Sequence, residues 1–171
     1  MAKAGLSEVP EPYRDLIKEL LGVIKEIFGD SLVSMVLYGS VARGEARTDS
    51  DVDLLIIAED LPPSRIERVR LFEMAEDRVE PQVAKLYDRG IYVSFSPIIL
   101  MPEEVEKVPP ILLDMIEDAV IVYDRTDFFS KLLSRVAARL KELGAERIKL
   151  GRKWYWRLKK NYKPGEVIVI E

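Results

Sequence analysis

The sequence predicts an α/β fold of the α+β kind, a mixed sheet flanked by helices, with a basic helical extension at its C-terminal end. Three observations predict it. Leu32–Tyr38 and Val52–Ala58 are short, nearly continuous apolar runs, as strands buried on both faces require. Helix-period stripes precede and follow them. The elements alternate β-α-β-α-β over residues 11–125, and 171 residues give one domain with a single core.

Each element follows from its residues. Residues 1–10 read as a loose tail. Glu11–Phe28 places Tyr13, Leu16, Ile17, Leu20, Leu21, Ile24, Ile27 and Phe28 on one helical stripe, with Pro12 in the first turn. Gly29-Asp30 ends it, and Leu32–Tyr38 follows as a buried strand. A connection containing Gly and Ser leads to the strand Val52–Ala58. Pro62-Pro63-Ser64 opens a second helix reaching about Leu86, in which Pro81 predicts a break or kink. Gly90–Leu100 alternates Tyr92, Ser94 and Ser96 with Ile91, Val93 and Phe95, a third strand with one polar face. Pro109–Asp118 reads as a short helix and Ala119–Tyr123 as a fourth strand. Residues 126–171 form the basic extension: an amphipathic helix over Asp127–Leu143 stopped by Gly144, then a last strand at Glu166–Ile170 after a Pro164-Gly165 turn. As an edge strand, that segment would offer pairing across a homodimer.

Composition narrows the chemistry. The chain has neither Cys nor His, which removes disulfides, thiolate nucleophiles, imidazole bases and most transition-metal sites. Carboxylates, hydroxyls, Lys, Arg and oxygen-ligated hard metals remain. The apolar runs fall far short of the roughly 20 residues of a membrane-spanning helix, and Met1–Pro12 has no signal-peptide core, so a cytoplasmic protein is expected. Asn161 and Gln82 are the sole side-chain amides, a depletion expected of a thermophile. A net charge of −4 conceals an asymmetry. Lys131–Lys163 holds 12 basic and 2 acidic residues, leaving 14 basic and 28 acidic elsewhere. Such a segment meets an acidic partner, nucleic acid, or the acidic remainder of its own fold.

The segment that carries chemistry runs from Tyr38 to Leu54. The strand Leu32–Tyr38 ends at Gly39-Ser40, where a short helix is expected to begin. Gly39 permits close backbone approach to a ligand. The first N–H groups, with the Ser40 hydroxyl, suit a phosphate. Arg43 lies one turn later, and Gly44 ends the turn. Asp51-Val52-Asp53 then opens a strand, and period two puts both carboxylates on one face with Cα atoms roughly 6.5–7 Å apart. Two such carboxylates repel unless a cation lies between them. Oxygen ligation without His favours Mg²⁺ or Mn²⁺. A phosphate cradle facing a carboxylate-held cation is the layout of nucleotide phosphoryl or nucleotidyl transfer.

Gly39-Ser40, ten residues, then Asp51-x-Asp53, together with Arg43, Gly44, Ser50 and Leu54, resembles the signature of the DNA polymerase beta-like nucleotidyltransferase superfamily. Within it the chain is most similar to the prokaryotic minimal nucleotidyltransferases, many of which pair with a HEPN-domain partner in toxin–antitoxin modules. The resemblance implies the polymerase beta-like fold and an NTP substrate, with ATP favoured. It implies that Gly39, Ser40, Arg43 and Ser50 bind the nucleotide and that Asp51 and Asp53 ligate Mg²⁺ or Mn²⁺ as catalytic residues. It also implies a third carboxylate on a later strand. The strand Gly90–Leu100 offers Tyr92, Ser94 and Ser96 instead, with Glu80 and Asp88 the acids upstream. Two functions follow: transfer of a nucleoside monophosphate to a hydroxyl on a protein or RNA, or a weakly active or inactive antitoxin-like module that binds a HEPN-type partner.

The tail Arg152–Lys160 interleaves cations with Trp154, Tyr155 and Trp156. The plainest expectation is that the indoles pack on the domain while the cations reach water. A protein contact surface, or RNA bound by base stacking along residues 147–163, would use the same residues.

Overall fold

The computed structural model describes residues 1–151, 153–161, 163 and 165–170. Along the chain the elements are β1 (Lys3–Ala4), α1 (Arg14–Phe28), β2 (Leu32–Tyr38), α2 (Gly39–Ala42), β3 (Val52–Ala58), α3 (Arg65–Tyr87), β4 (Phe95–Leu100), α4 (Pro102–Val105), α5 (Ile111–Asp118), β5 (Val120–Asp124), α6 (Phe128–Leu143), β6 (Glu146–Leu150) and β7 (Lys153–Arg157). No helix among the described residues is long and apolar enough to cross a membrane.

The two apolar runs form the middle of the sheet. Its order is β1-β5-β2-β3-β4, with β2 antiparallel to both β3 and β5, and with β4 and β1 parallel to their neighbours. Helices cover both faces, so β2 and β3 have no wet side and need no polar alternation. Leu32, Met35 and Leu37 join Leu54 and Ile56 in one core with Leu16, Leu20 and Ile24 of α1 and Phe72, Ala75 and Val79 of α3. Val33, Val36, Leu55 and Ile57 point the other way, into a second core with Leu112, Met115, Phe129, Leu132 and Val136 of α5 and α6.

Several expectations are corrected. Residues 1–10 are tied down rather than loose: Lys3 and Ala4 pair with Val120 and Ile121, and Val9 is completely buried. A two-residue strand held by backbone bonds has no periodicity to read. Pro81 does not end α3, which runs through it as one helix. Pro81 faces solvent, where the carbonyl it frees is open to water, while Ala75, Val79 and Leu86 hold the helix on the core. The third strand starts at Phe95, not Gly90. Its upstream residues run beside the Thr48–Asp51 loop, bonding it through Tyr92 N–H to the Thr48 carbonyl (2.6 Å). The basic extension is helical only to Leu143; β6 and β7 then make an antiparallel hairpin. Glu166–Ile170 forms no strand, so the homodimer expected from it loses that edge; the Val169 carbonyl instead accepts from Arg139 of α6. Arg152 and the Pro164 half of the expected turn lie outside the described residues.

Two buried polar clusters lock the sheet to its helices. Asp124, at the end of β5, accepts from Ser34 Oγ, from the amides of Phe129 and Ser130, and from Ser130 Oγ, fixing the start of α6. Arg68 of α3 is 4% exposed. It donates to the carbonyls of Pro62 and Ile99 and, at 2.6 Å, to Glu104 of α4. Burial alone would push the Glu104 carboxyl up. Hydrogen bonds from Arg68 and the Met101 amide outweigh it and hold the group below its usual range.

Two outcomes are expected. Glu104→Ala strands the buried Arg68 cation and costs about 3 kcal/mol at neutral pH in urea unfolding. Because the folded carboxyl is depressed, its contribution is complete above about pH 4.5 and is lost as pH falls through the folded value, so variant and native protein converge in acid. Deleting residues 1–9 removes the β1 bonds and Val9, costing about 2 kcal/mol, or a Tm lower by roughly 4–8 °C in calorimetry.

Candidate active site

The central strand pair ends where the motif begins. Tyr38 and Asp53 are register partners across β2 and β3. This pairing brings the turn after β2 directly over the carboxylate that opens β3. Gly39 takes a φ of +73°, in the left-handed region, and a Cβ placed there would lie 2.0 Å from Asp53 Oδ2. Only glycine fits at that position, on both backbone and steric grounds. Gly39 and Asp53, fourteen positions apart in sequence, are thus in contact across a strand end.

Downstream the turn is a single helical one. The Arg43 amide donates to the Gly39 carbonyl and the Glu45 amide to the Ser40 carbonyl, and Gly44 ends it at a φ of +70°. Arg43 Nε donates to Glu45 at 3.0 Å, with Asp118 4.0 Å from its Nη1. Ser50 closes the following loop: its Oγ accepts from the Arg47 amide at 2.8 Å.

The two acids flank a buried residue and lie on the side away from it. Val52, between them, is fully buried, while Asp51 is exposed and Asp53 half-buried, as strand alternation demands. Burial first, and then the charge of Asp51, push the Asp53 carboxyl up, with Arg43 opposing them. Tyr38, buried beside Asp53, has its phenol pushed up to about 12, by burial first and then by that carboxylate. A carboxylate raised by a like neighbour and opening onto solvent is a place where a divalent cation relieves repulsion. The donor set Asp51 and Asp53 fits a hard cation such as Mg²⁺ or Mn²⁺. Among the described residues no group of three or more acids comes together as a metal cage. The β4 residue in register with Asp53 is Ser96, whose neighbours Ser94 and Tyr92 are exposed like it.

Ser40, Arg43 and Ser50 line one cavity of about 490 Å³, together with Glu45, Arg47, Lys149, Gly151 and Trp154. Tyr38, Gly39 and Arg43 line an adjoining one of about 310 Å³ with Asp114, Arg147 and Trp154. Every motif residue expected to meet a nucleotide therefore borders this space. Arg47 and the hairpin residues were absent from the expectation. Arg47 sits within the motif and was readable as a further cation, whereas nothing local to residues 147–154 announces that they fold back over it.

Comparison with known proteins gives the family. The family described as nucleotidyltransferase domain matches residues 17–161. Two proteins of Methanocaldococcus jannaschii, each called a "putative protein adenylyltransferase", are similar. The first is 34% identical over 131 residues, spanning 75% of this chain and 84% of its own length. The second is 36% identical over 85 residues, spanning 50% of this chain and 76% of its own. Among solved structures, the crystal structure of a toxin–antitoxin with AMP-PNP aligns over 74% of this chain and 91% of that one, at 14% identity and a TM-score of 0.47, too distant to bear on function. With the motif, its geometry and a match over most of its length in agreement, the chain belongs to the nucleotidyltransferase domain family.

Proposed function

We propose that this nucleotidyltransferase moves an adenylyl group from ATP to a hydroxyl on a partner protein, in the presence of Mg²⁺ or Mn²⁺. The observation that carries it is the packing of Gly39 against Asp53. It supports the reading by bringing the turn after β2 against one of the two acids, next to a cavity lined by Ser40, Arg43, Arg47 and Lys149, although neither Asp51 nor Asp53 lines that cavity. The name shared by the two Methanocaldococcus jannaschii relatives supports a protein acceptor.

The residues divide the work as follows. The turn from Gly39 to Arg43 and the Ser40 hydroxyl receive the polyphosphate, and the cations around the cavity offset its charge. Asp51 and Asp53 would hold the cation. When bound, it supplies charge neutralisation on the triphosphate and polarises the α-phosphoryl group. The acceptor oxygen forms a bond to the α-phosphorus as the bond to the β-phosphate bridge breaks. Pyrophosphate leaves and the hydroxyl proton passes to solvent. Fixed placement of both reactants, rather than covalent work by the protein, is what such a site contributes.

A second reading rests on Ser96. It stands in register with Asp53, on the strand where the superfamily resemblance implies a third carboxylate. A site completed by a serine would bind nucleotide and transfer slowly or not at all, leaving an antitoxin-like cover for a HEPN-type partner.

Incubation with α-labelled ATP, Mg²⁺ and candidate partners tests the first reading. Label should pass to the partner, and Asp53→Asn should cut transfer about a hundredfold or more while the protein stays folded by circular dichroism. Gly39→Ala should match that loss, because its methyl group displaces the Asp53 carboxylate. Absence of transfer from folded wild-type protein, with partner neutralisation intact in Asp51→Ala and Asp53→Ala, would favour the second reading.

A further inference from the structure

The β6–β7 hairpin has two unlike faces. Register pairs Arg147 with Trp156 and Lys149 with Trp154, so these four residues share one face, while Ile148 and Tyr155 take the other. The face with cations and indoles is turned to the domain. Trp156 packs against the second core beside Leu158. Arg147, its side chain 8% exposed, donates to Glu117 at 2.8 Å and to Asp118 at 2.6 Å at the end of α5. Asp118 also faces Arg43 of the motif turn. These contacts hold the hairpin to the motif from one side. The remaining pair, Lys149 and Trp154, lies over the cavity that Ser40, Arg43 and Ser50 line from below.

Their surroundings point to a ligand that is both flat and anionic. Trp154 is 38% exposed, although it lies on the hairpin's inward face. The Arg147 guanidinium and the Lys149 ammonium lie 4.3 Å and 5.0 Å from its ring centroid, within cation–π range of the indole. The same cavity carries three cations, Arg43, Arg47 and Lys149, against the single carboxylate of Glu45. An aromatic platform beside a net positive pocket is the pairing that nucleotides meet elsewhere, base on ring and phosphates on cations.

Resting on the nucleotide-transfer reading above, we propose that the β6–β7 hairpin is the base-binding wall of the nucleotide site, with Trp154 stacking on the nucleobase and Lys149 attracting the polyphosphate. The C-terminal hairpin is then part of the substrate pocket. Its placement selects for nucleotides over bare polyphosphates.

Calorimetric titration of the full chain with Mg²⁺-ATP and with Mg²⁺-tripolyphosphate separates the contributions. Trp154→Ala should weaken ATP about tenfold or more and leave tripolyphosphate within about twofold, with Trp154→Phe restoring most of the ATP affinity. Lys149→Ala should weaken both ligands alike. Unchanged ATP affinity in Trp154→Ala would overturn the proposal while leaving the transfer reading standing. Equal loss of both ligands in Trp154→Ala, not restored by Trp154→Phe, would assign the indole a purely structural role and overturn it too. Failure of the wild-type protein to bind either ligand would remove the transfer reading and this inference together.

Discussion

The contact between Gly39 and the Asp53 carboxylate is the constraint around which this molecule is arranged. Antiparallel pairing of β2 with β3 puts the exit of one strand beside the entrance of the other. A side chain at Gly39 would occupy the space of the carboxylate, and the positive φ there turns the chain straight into α2. The turn after β2 and the Asp53 carboxylate therefore meet without any long connection having to be ordered. Both strands are buried on both faces, so this contact is anchored in the packed centre of the sheet.

Electrostatics adds a second layer. The acidic body and the basic C-terminal segment meet within the chain itself. Arg147 pairs with Glu117 and Asp118 of α5 and Lys159 with Glu166, whereas Arg157 and Lys160 pair with Glu146 inside the basic segment. Of the partners open to the basic segment, the acidic remainder of its own fold thus accounts for part of its charge. Exposed pairs of this kind contribute little stability singly. The Arg147 pairs differ because the guanidinium is almost fully covered, and their placement beside Arg43 ties the hairpin to the motif. Lys149 and Arg47 are left facing the cavity, where a polyanion would meet them.

Stability and chemistry are spatially separate. The Arg68 and Asp124 clusters, which pin α3, α4 and α6 to the sheet, involve none of the motif residues. Asp53, by contrast, pays for its position: burial and Asp51 both disfavour its charge, and only Arg43 opposes them. A protein stabilised at a distance can tolerate two like charges at its working rim, and a bound cation would turn that repulsion into affinity.

The residues themselves determined a good deal. Apolar runs of strand length, helix stripes and the motif spacing were enough for the sheet's central strands, the main helices and the meeting of turn and acids, because each depends on period or on spacing within about fifteen residues. Where outcome depended on distant backbone, sequence patterns were silent or misleading. Lys3–Ala4 pairs through main-chain groups that carry no side-chain signature, Pro81 is tolerated because tertiary packing places it toward water, and Glu166–Ile170 has strand composition but no strand to pair with. Trp154 shows the difference most plainly: its composition fits a core anchor, a nucleic-acid platform or a protein contact equally well. Only the fold, by packing Trp156 and tying Arg147 to α5, decided that its indole would stand over the motif turn, about a hundred residues away in sequence.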